Sequence, residues 1–396
     1  MAAPRTVSVM LFALLPLALG APAQAQDVAI RAGRVLTRGD APPLEGAVVL
    51  VRDGKVVAVG HGVEVPEGVP LLERPDAWLV PGFVDPCTGL GLFRDRDEVA
   101  QPLARDVTVE GAINPEHRDL ALARAAGITT CLVTPGDLSP FAGAGVLLRT
   151  TGERVGAAPV AKLALGPSVL RDDRPPTARS GAVALLRQAI TSAHQRRDPA
   201  DVDPSDFLAA FARGELFGLF TVATPVDLDQ ARGIVVPLGL RVVFRLRPGF
   251  DPSALDDAEA LELLGGAPAI VGPFDLTTPE RTLRVPGRLA RAGVQVLFTS
   301  QAPDGPADGL RLTAALAVRY GLAPERALDA LGRGAAAALG VEERLGTIAA
   351  GKDADLVLLD GPPLDLSSRV LETWSQGRRV HRAVAAAPGP ARGGRP

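Results

Sequence analysis

The sequence predicts an α/β chain: a closed (β/α)8 barrel of the TIM type, with a small composite β-sandwich formed by the N- and C-terminal segments. Three observations predict it. From residue 81 to 340, short apolar runs alternate with helix-like stretches, the grammar of a parallel sheet with helices outside it. That stretch has the roughly 250 residues such a barrel takes. Both chain ends, by contrast, are rich in short strands.

The elements follow in order. Residues 1–25 read as an export signal. Arg5 precedes an apolar run from Val7 to Leu19, and Ala23-Gln24-Ala25 supplies a cleavage pattern. The run is too short to span a bilayer. Cleavage is expected after Ala25, giving a periplasmic or secreted protein with no membrane span. Residues 27–80 carry strand-like runs at Val28–Ile30, Ala47–Val51 and Val56–Val59, with Asp53-Gly54 as a hairpin turn. Within 81–340, a helix at Arg118–Ala126 is closed by Gly127. Strands follow at Ile128–Val133, Val242–Leu246 and Val294–Phe298. Residues 341–383 return to strands at Ala354–Leu359 and Val370–Trp374, and 384–396 form an Ala/Pro/Gly/Arg tail expected to be disordered. A doubly wound open sheet would carry a glycine-rich fingerprint after an early strand. Gly143-Ala144-Gly145 is too short for one.

Composition narrows function. The chain is 47% hydrophobic and 22% charged with a net charge of -3, so it is globular and lacks the basic surplus that nucleic acid requires. Cys87 and Cys131 are its only cysteines, which permits one disulfide at most and excludes metal sites built on cysteine pairs.

One stretch raises the functional question. Residues 80–91 read VPGFVDPCTGLG. The frame resembles the amidohydrolase pattern PGxIDxHxHxG, in which two histidines hold a catalytic metal. The likeness continues. Asn114-Pro115 to Gly152, Ala161-Lys162-Leu163-Ala164-Leu165-Gly166 and Pro176-Thr177-Ala178-Arg179 are similar to successive motifs of imidazolonepropionase-like amidohydrolases. So are Gly321–Leu328 and Leu345–Leu356. The resemblance covers nearly the whole mature chain and implies the same barrel and composite sandwich. It also implies zinc or another divalent metal, held by four histidines and one aspartate at strand ends, that activates water for hydrolysis of non-peptide C–N bonds.

Here the implied ligand positions carry other residues. The first pair falls on Cys87 and Gly89, the third ligand on Thr221, the fourth on Arg245, and the aspartate on Gln301. None of these except Cys87 is a usual ligand. The four histidines, His61, His117, His194 and His381, stand elsewhere, and His117, opening a helix beside the mouth, is the one able to reach a pocket. No metal or other cofactor is expected. Asp85 is placed at the pocket edge. Lys162 is read as a salt-bridging residue, since a carbamate there would lack metals to stabilise it. Cys87 is read as an inert buried thiol, with a Cys87–Cys131 disulfide left open. Arg149, Arg245 and Arg247 are weighed as an anion-binding cluster against scattered surface arginines. The leading expectation is a catalytically degenerate pseudo-hydrolase serving as scaffold or binding protein, partnered by an active paralogue or by itself. The alternatives are an active hydrolase of amide, cyclic amide or dipeptide-like substrates, and a barrel binding a small anionic ligand.

Overall fold

The amino-terminal strands form where apolar residues alternate around tight turns. They are β1 (Val28–Val35), β2 (Leu44–Glu45), β3 (Val48–Arg52), β4 (Lys55–Gly60) and β5 (Leu71–Pro81). Asp53 and Gly54 take φ of 48° and 75°, the double left-handed geometry of a two-residue hairpin, so Arg52 faces Lys55 as the Asp-Gly signal predicts. The computed structural model describes residues 27–93, 96–156, 158–196, 203, 205–250 and 264–384. The expected export signal, and the expected tail beyond Val384, lie outside the described residues.

The barrel strands are β6 (Phe83–Thr88), β7 (Ile128–Val133), β8 (Phe141–Arg149), β9 (Val160–Leu165), β10 (Gly218–Val222), β11 (Val242–Leu246), β12 (Ala269–Val271) and β13 (Val296–Phe298). They are hydrogen-bonded in sequence order from β6 to β13. Every residue on them is buried, because side chains fill the interior and helices cover the outside. Val84, Leu132, Leu219, Val243, Ile270 and Leu297 form an inner apolar cluster. Leu163, Phe220 and Phe244 belong to a separate outer core with Leu186, Ile190 and Leu228 of the covering helices Arg179–Gln195 and Pro225–Val235. One strand departs from the expected pattern. β8 pairs antiparallel with both β7 and β9, while the other ladders are parallel. The connection 134–140 is the cause, being too short for the crossover of a dozen or more residues that a parallel return needs.

The chain then returns to the first unit through β14 (Leu356–Leu359), β15 (Val370–Ser375) and β16 (Arg378–Arg382). β14 pairs with β5, setting Val357 against Val80 and joining the two chain ends. Hydrogen bonds run unbroken in the order β16-β15-β14-β5-β1-β3-β4. The sheet encloses its own core of Ile30, Val49, Leu79, Leu356, Leu358 and Trp374.

Candidate functional site at the barrel mouth

Parallel barrel strands aim their carboxyl ends at one face, and the residues there come from β6, β9, β10, β11, β13 and the loops after them. Thr221 on β10 and Arg245 on β11 lie one layer above the inner-cluster residues Leu219 and Val243, and Lys162 on β9, level with Leu219, reaches up to them. All three are buried, with 1–2% exposure. Thr221 stands beside Arg245 in the β10–β11 ladder. The Lys162 ammonium lies 2.5 Å from Thr221 Oγ1 and is ion-paired with Asp137 Oδ1. Arg245 Nη1 donates to the other oxygen, Asp137 Oδ2, at 2.7 Å. Burial alone would raise the Asp137 carboxyl. The Lys162 ammonium and the Arg245 guanidinium outweigh it and hold that carboxyl well below the usual range. Two buried cations thus share one carboxylate.

Cys87, Thr134, Asp137, Lys162, Arg245 and Gln301 line a small cavity of ≈ 20 Å³, whose wall also includes Arg96. Above it opens a wider cleft of ≈ 890 Å³, lined by Leu92, Phe93, Arg96, Asp97, His117, Asp119, Pro303 and Asp304. Arg96 borders both spaces. Its guanidinium is ion-paired with Asp304 from the loop after β13, and a side-chain carbon on Gly89 would lie 2.1 Å from its Nη1. The place of a side chain at residue 89 is therefore taken by Arg96. Gln301 holds a left-handed backbone, φ 54°, uncommon for a side chain of its kind, and its backbone N–H donates to Thr299 Oγ1 at 2.9 Å.

Most of the residues singled out in the sequence meet here: Cys87, Gly89, Lys162, Thr221, Arg245 and Gln301. Asp85 does not line the pocket. It is fully buried, and its carboxylate accepts from Ser300 N at 2.9 Å and Ser300 Oγ at 2.6 Å, while Thr299 Oγ1 lies 2.8 Å from Oδ1. Burial pushes Asp85 up, against the pull of these donors. His117 does reach the cleft. It caps the helix Arg118–Ala125, stands 3.0 Å from Asp119 Oδ2, and meets the Phe93 ring edge-on at 5.8 Å. The other three histidines are elsewhere: His61 follows β4, His194 ends the helix Arg179–Gln195, and His381 lies on β16.

Two readings that the sequence left open are resolved. Arg149 is absent from the mouth. It ends a strand that runs antiparallel, so it emerges at the opposite face, bonded to Asp353 and Asp355. The anion cluster loses that member. Cys87 and Cys131 are both free, Cys87 packing with the inner cluster and Cys131 with the outer core, so the barrel wall separates them. Burial, reinforced by nearby Asp85, pushes the Cys131 thiol up to about 12.

Sequence reasoning missed Asp137, Arg96 and Asp304. Asp137 carried a usable signal, as it follows Thr134-Pro135-Gly136 directly after a predicted strand, where a barrel places its mouth. Arg96 and Asp304 sit in loops with no such marker. Among the described residues, no group of three or more His, Cys, Asp or Glu side chains converges as metal ligands.

Known proteins share this architecture. A family model described as "Amidohydrolase family" matches residues 275–381. Imidazolonepropionase of Acidiphilium cryptum (strain JF-5) is 26% identical over 381 residues, spanning 87% of this chain and 94% of that protein. An amidohydrolase from Thermotoga maritima MSB8 superposes with a TM-score of 0.80 at 25% identity, over 90% of this chain and all of that one. Molinate hydrolase, at 15% identity and a TM-score of 0.58 over 93% of this chain and 99% of its own, shares the fold. With likeness running the length of the chain, in sequence and in backbone alike, the protein belongs to the amidohydrolase superfamily.

Proposed function

We propose that this protein is an exported, non-hydrolytic amidohydrolase-fold protein, a pseudo-hydrolase whose barrel serves as a binding or assembly scaffold beside an active paralogue or a second copy of itself. One observation carries the reading: Lys162 and Arg245, both buried, converge on Asp137 at the strand ends where metal ligands would stand. The donor set does not fit a divalent cation. Gly89 contributes no donor, Thr221 and Gln301 offer neutral oxygens, and Arg245 cannot give up its proton. A unit charge about 4 Å from either cation is repelled by about 4 kcal/mol at an intermediate dielectric, and a dication by twice that. The Asp137 carboxylate between them is already shared. The ≈ 20 Å³ space beneath Arg96 is too small for an amide substrate. Export rests on the amino-terminal apolar run and its cleavage pattern.

Elemental analysis of the purified mature protein, grown with added zinc, tests this. Zinc well below one equivalent, and no chelator-sensitive cleavage of amides, cyclic amides or dipeptides, is the expected result. Stoichiometric zinc lost together with turnover on chelation would sink it. A second reading, metal-free hydrolysis of the same substrates, is favoured by the His117–Asp119 pair facing the ≈ 890 Å³ cleft. It requires turnover that survives chelation and disappears in His117→Ala.

A further inference from the structure

Three arginines of the sheet meet at one carboxylate oxygen. Glu372 on β15 is buried, its side chain 3% exposed, and its Oε2 accepts from Trp374 Nε1 at 3.1 Å. Its Oε1 is approached by Arg74 Nη2 of β5 at 3.1 Å, by Arg379 Nη1 of β16 at 3.5 Å and by Arg382 Nε of β16 at 3.9 Å. One guanidinium would match one carboxylate. Three leave two positive charges in excess within ion-pair distance. The acids next to Arg74 on β5 do not cancel them. Glu73 is ion-paired with Arg31, and exposed Asp76 is a partner of none of the three.

The cluster is held in place from within the sheet. The Arg379 guanidinium lies over the Trp374 ring, 5.7 Å from its centroid, and Arg74 Nη1 donates to the Glu73 carbonyl at 2.9 Å. Among the described residues, Arg379 donates a hydrogen bond only to Glu372, and Arg382 donates none. Their side chains are 39% and 63% exposed. A guanidinium carries five N–H donors in a fixed fork, so most donors on these two exposed side chains are unused. β16 is an edge strand, where charge discourages pairing with a foreign strand. That role asks only for charge along the edge. It leaves Arg74 unexplained, since Arg74 comes from β5 inside the sheet and aims at the same oxygen.

We propose that Arg74, Arg379 and Arg382 form a surface site for the phosphate group of a phosphomonoester, with Glu372 as the buried base that gathers them. A phosphomonoester carries about two negative charges at neutral pH, which the excess at the cluster matches. Planar guanidinium forks suit its terminal oxygens. The site belongs to the sheet and not to the barrel strands that build the mouth, so it holds whether or not the mouth hydrolyses anything.

Calorimetric titration of the mature protein with inorganic phosphate, against chloride at matched ionic strength, tests the site. One saturable phosphate site is expected. Arg379→Gln/Arg382→Gln changes two exposed side chains, leaves Arg74 on Glu372, and should weaken phosphate by roughly tenfold or more. Arg284→Gln, an exposed arginine of the barrel segment paired with Glu280, should leave it unchanged. Phosphatidylcholine vesicles with and without phosphatidic acid separate the sources of the group. Pelleting with the phosphatidic acid vesicles alone, relieved by inorganic phosphate, places the phosphate on a lipid. Phosphate binding without pelleting places it on a soluble ester. Absence of a saturable phosphate site overturns the proposal. So does binding that the double variant retains in full, or that Arg284→Gln weakens as much. The failures are separable: zinc bound at the mouth defeats the functional reading and leaves this site standing, whereas zinc-free protein indifferent to phosphate defeats only this site.

Discussion

The carboxylate of Asp137 accepts from two buried cations, one oxygen each, and this sharing sets the chemistry of the mouth. Asp137→Asn keeps the shape but leaves Lys162 and Arg245 without a counter-charge. Breaking a buried pair in this way costs about 3–5 kcal/mol. The pH dependence has a definite sign. Lys162 and Arg245 hold the folded-state carboxyl below its unfolded value despite burial. Its contribution is then complete above the ordinary aspartate range and is lost as pH falls through it, below about 4. The stability gap between natural protein and Asp137→Asn should be widest near neutrality and narrow in acid. Asp85, raised by burial, is common to the two proteins and cancels in the difference, while Asp97, raised by burial and also by Asp137, is partly relieved in the variant. Urea denaturation at two pH values measures the gap, and a gap that does not change with pH would contradict this account.

At the scale of elements, the barrel closes without a ladder. Among the described residues, β13 and β6 are the two ends of the hydrogen-bonded order. Side chains and loops bridge them: Asp85 on β6 grips Ser300 and Thr299 just past β13, and Gly89 N donates to Ala302 O at 2.7 Å. Asp85→Ala strands the Ser300 amide and hydroxyl in a buried seam, at about 1–3 kcal/mol for each unsatisfied group. Hydrogen exchange should then speed up first at Gly89 and Ser300, before the β9–β11 ladders. Uniform acceleration through the barrel would show that the seam is held by other contacts. Much at this scale was legible. Asp53-Gly54 marked its hairpin, and Gly127, at φ 85°, closes the helix Arg118–Ala125 as read. The direction of β8 was not, because apolar periodicity records burial and not polarity. Only the short connection 134–140 encoded the reversal. The pocket was legible where strands end, at Cys87, Lys162, Thr221 and Arg245. It was illegible in the loops, where Arg96 and Asp304 come together only through tertiary folding.

Across the whole molecule, one buried arginine ties barrel to sheet. Arg149, at the end of β8 and 1% exposed, bonds Asp353 at 2.5 Å and is ion-paired with Asp355, both just before β14. Asp353 has other partners in Arg344, at 2.7 Å, and Lys55, at 3.2 Å. Among the described residues, Asp355 otherwise accepts only from the backbone amide of Gln376 and pairs with no second cation, so it depends on Arg149. Arg149→Met preserves much of the volume but strands the Asp355 carboxylate, at about 3–5 kcal/mol. Burial already raises Asp355, and losing the guanidinium removes the main opposing influence. A raised folded-state value means stability that is full below the unfolded value and lost as pH climbs through the folded one. The variant should therefore be least stable near neutrality and recover on mild acidification, whereas in Asp137→Asn the gap narrows in acid because the natural protein weakens. Arg149→Met/Asp355→Asn should recover part of the loss, because the amide can stay buried at a smaller penalty than the carboxylate. Thermal midpoints of the single and double variants at two pH values decide it. If the second substitution adds to the damage at both, Arg149 joins the two units by packing, not by charge.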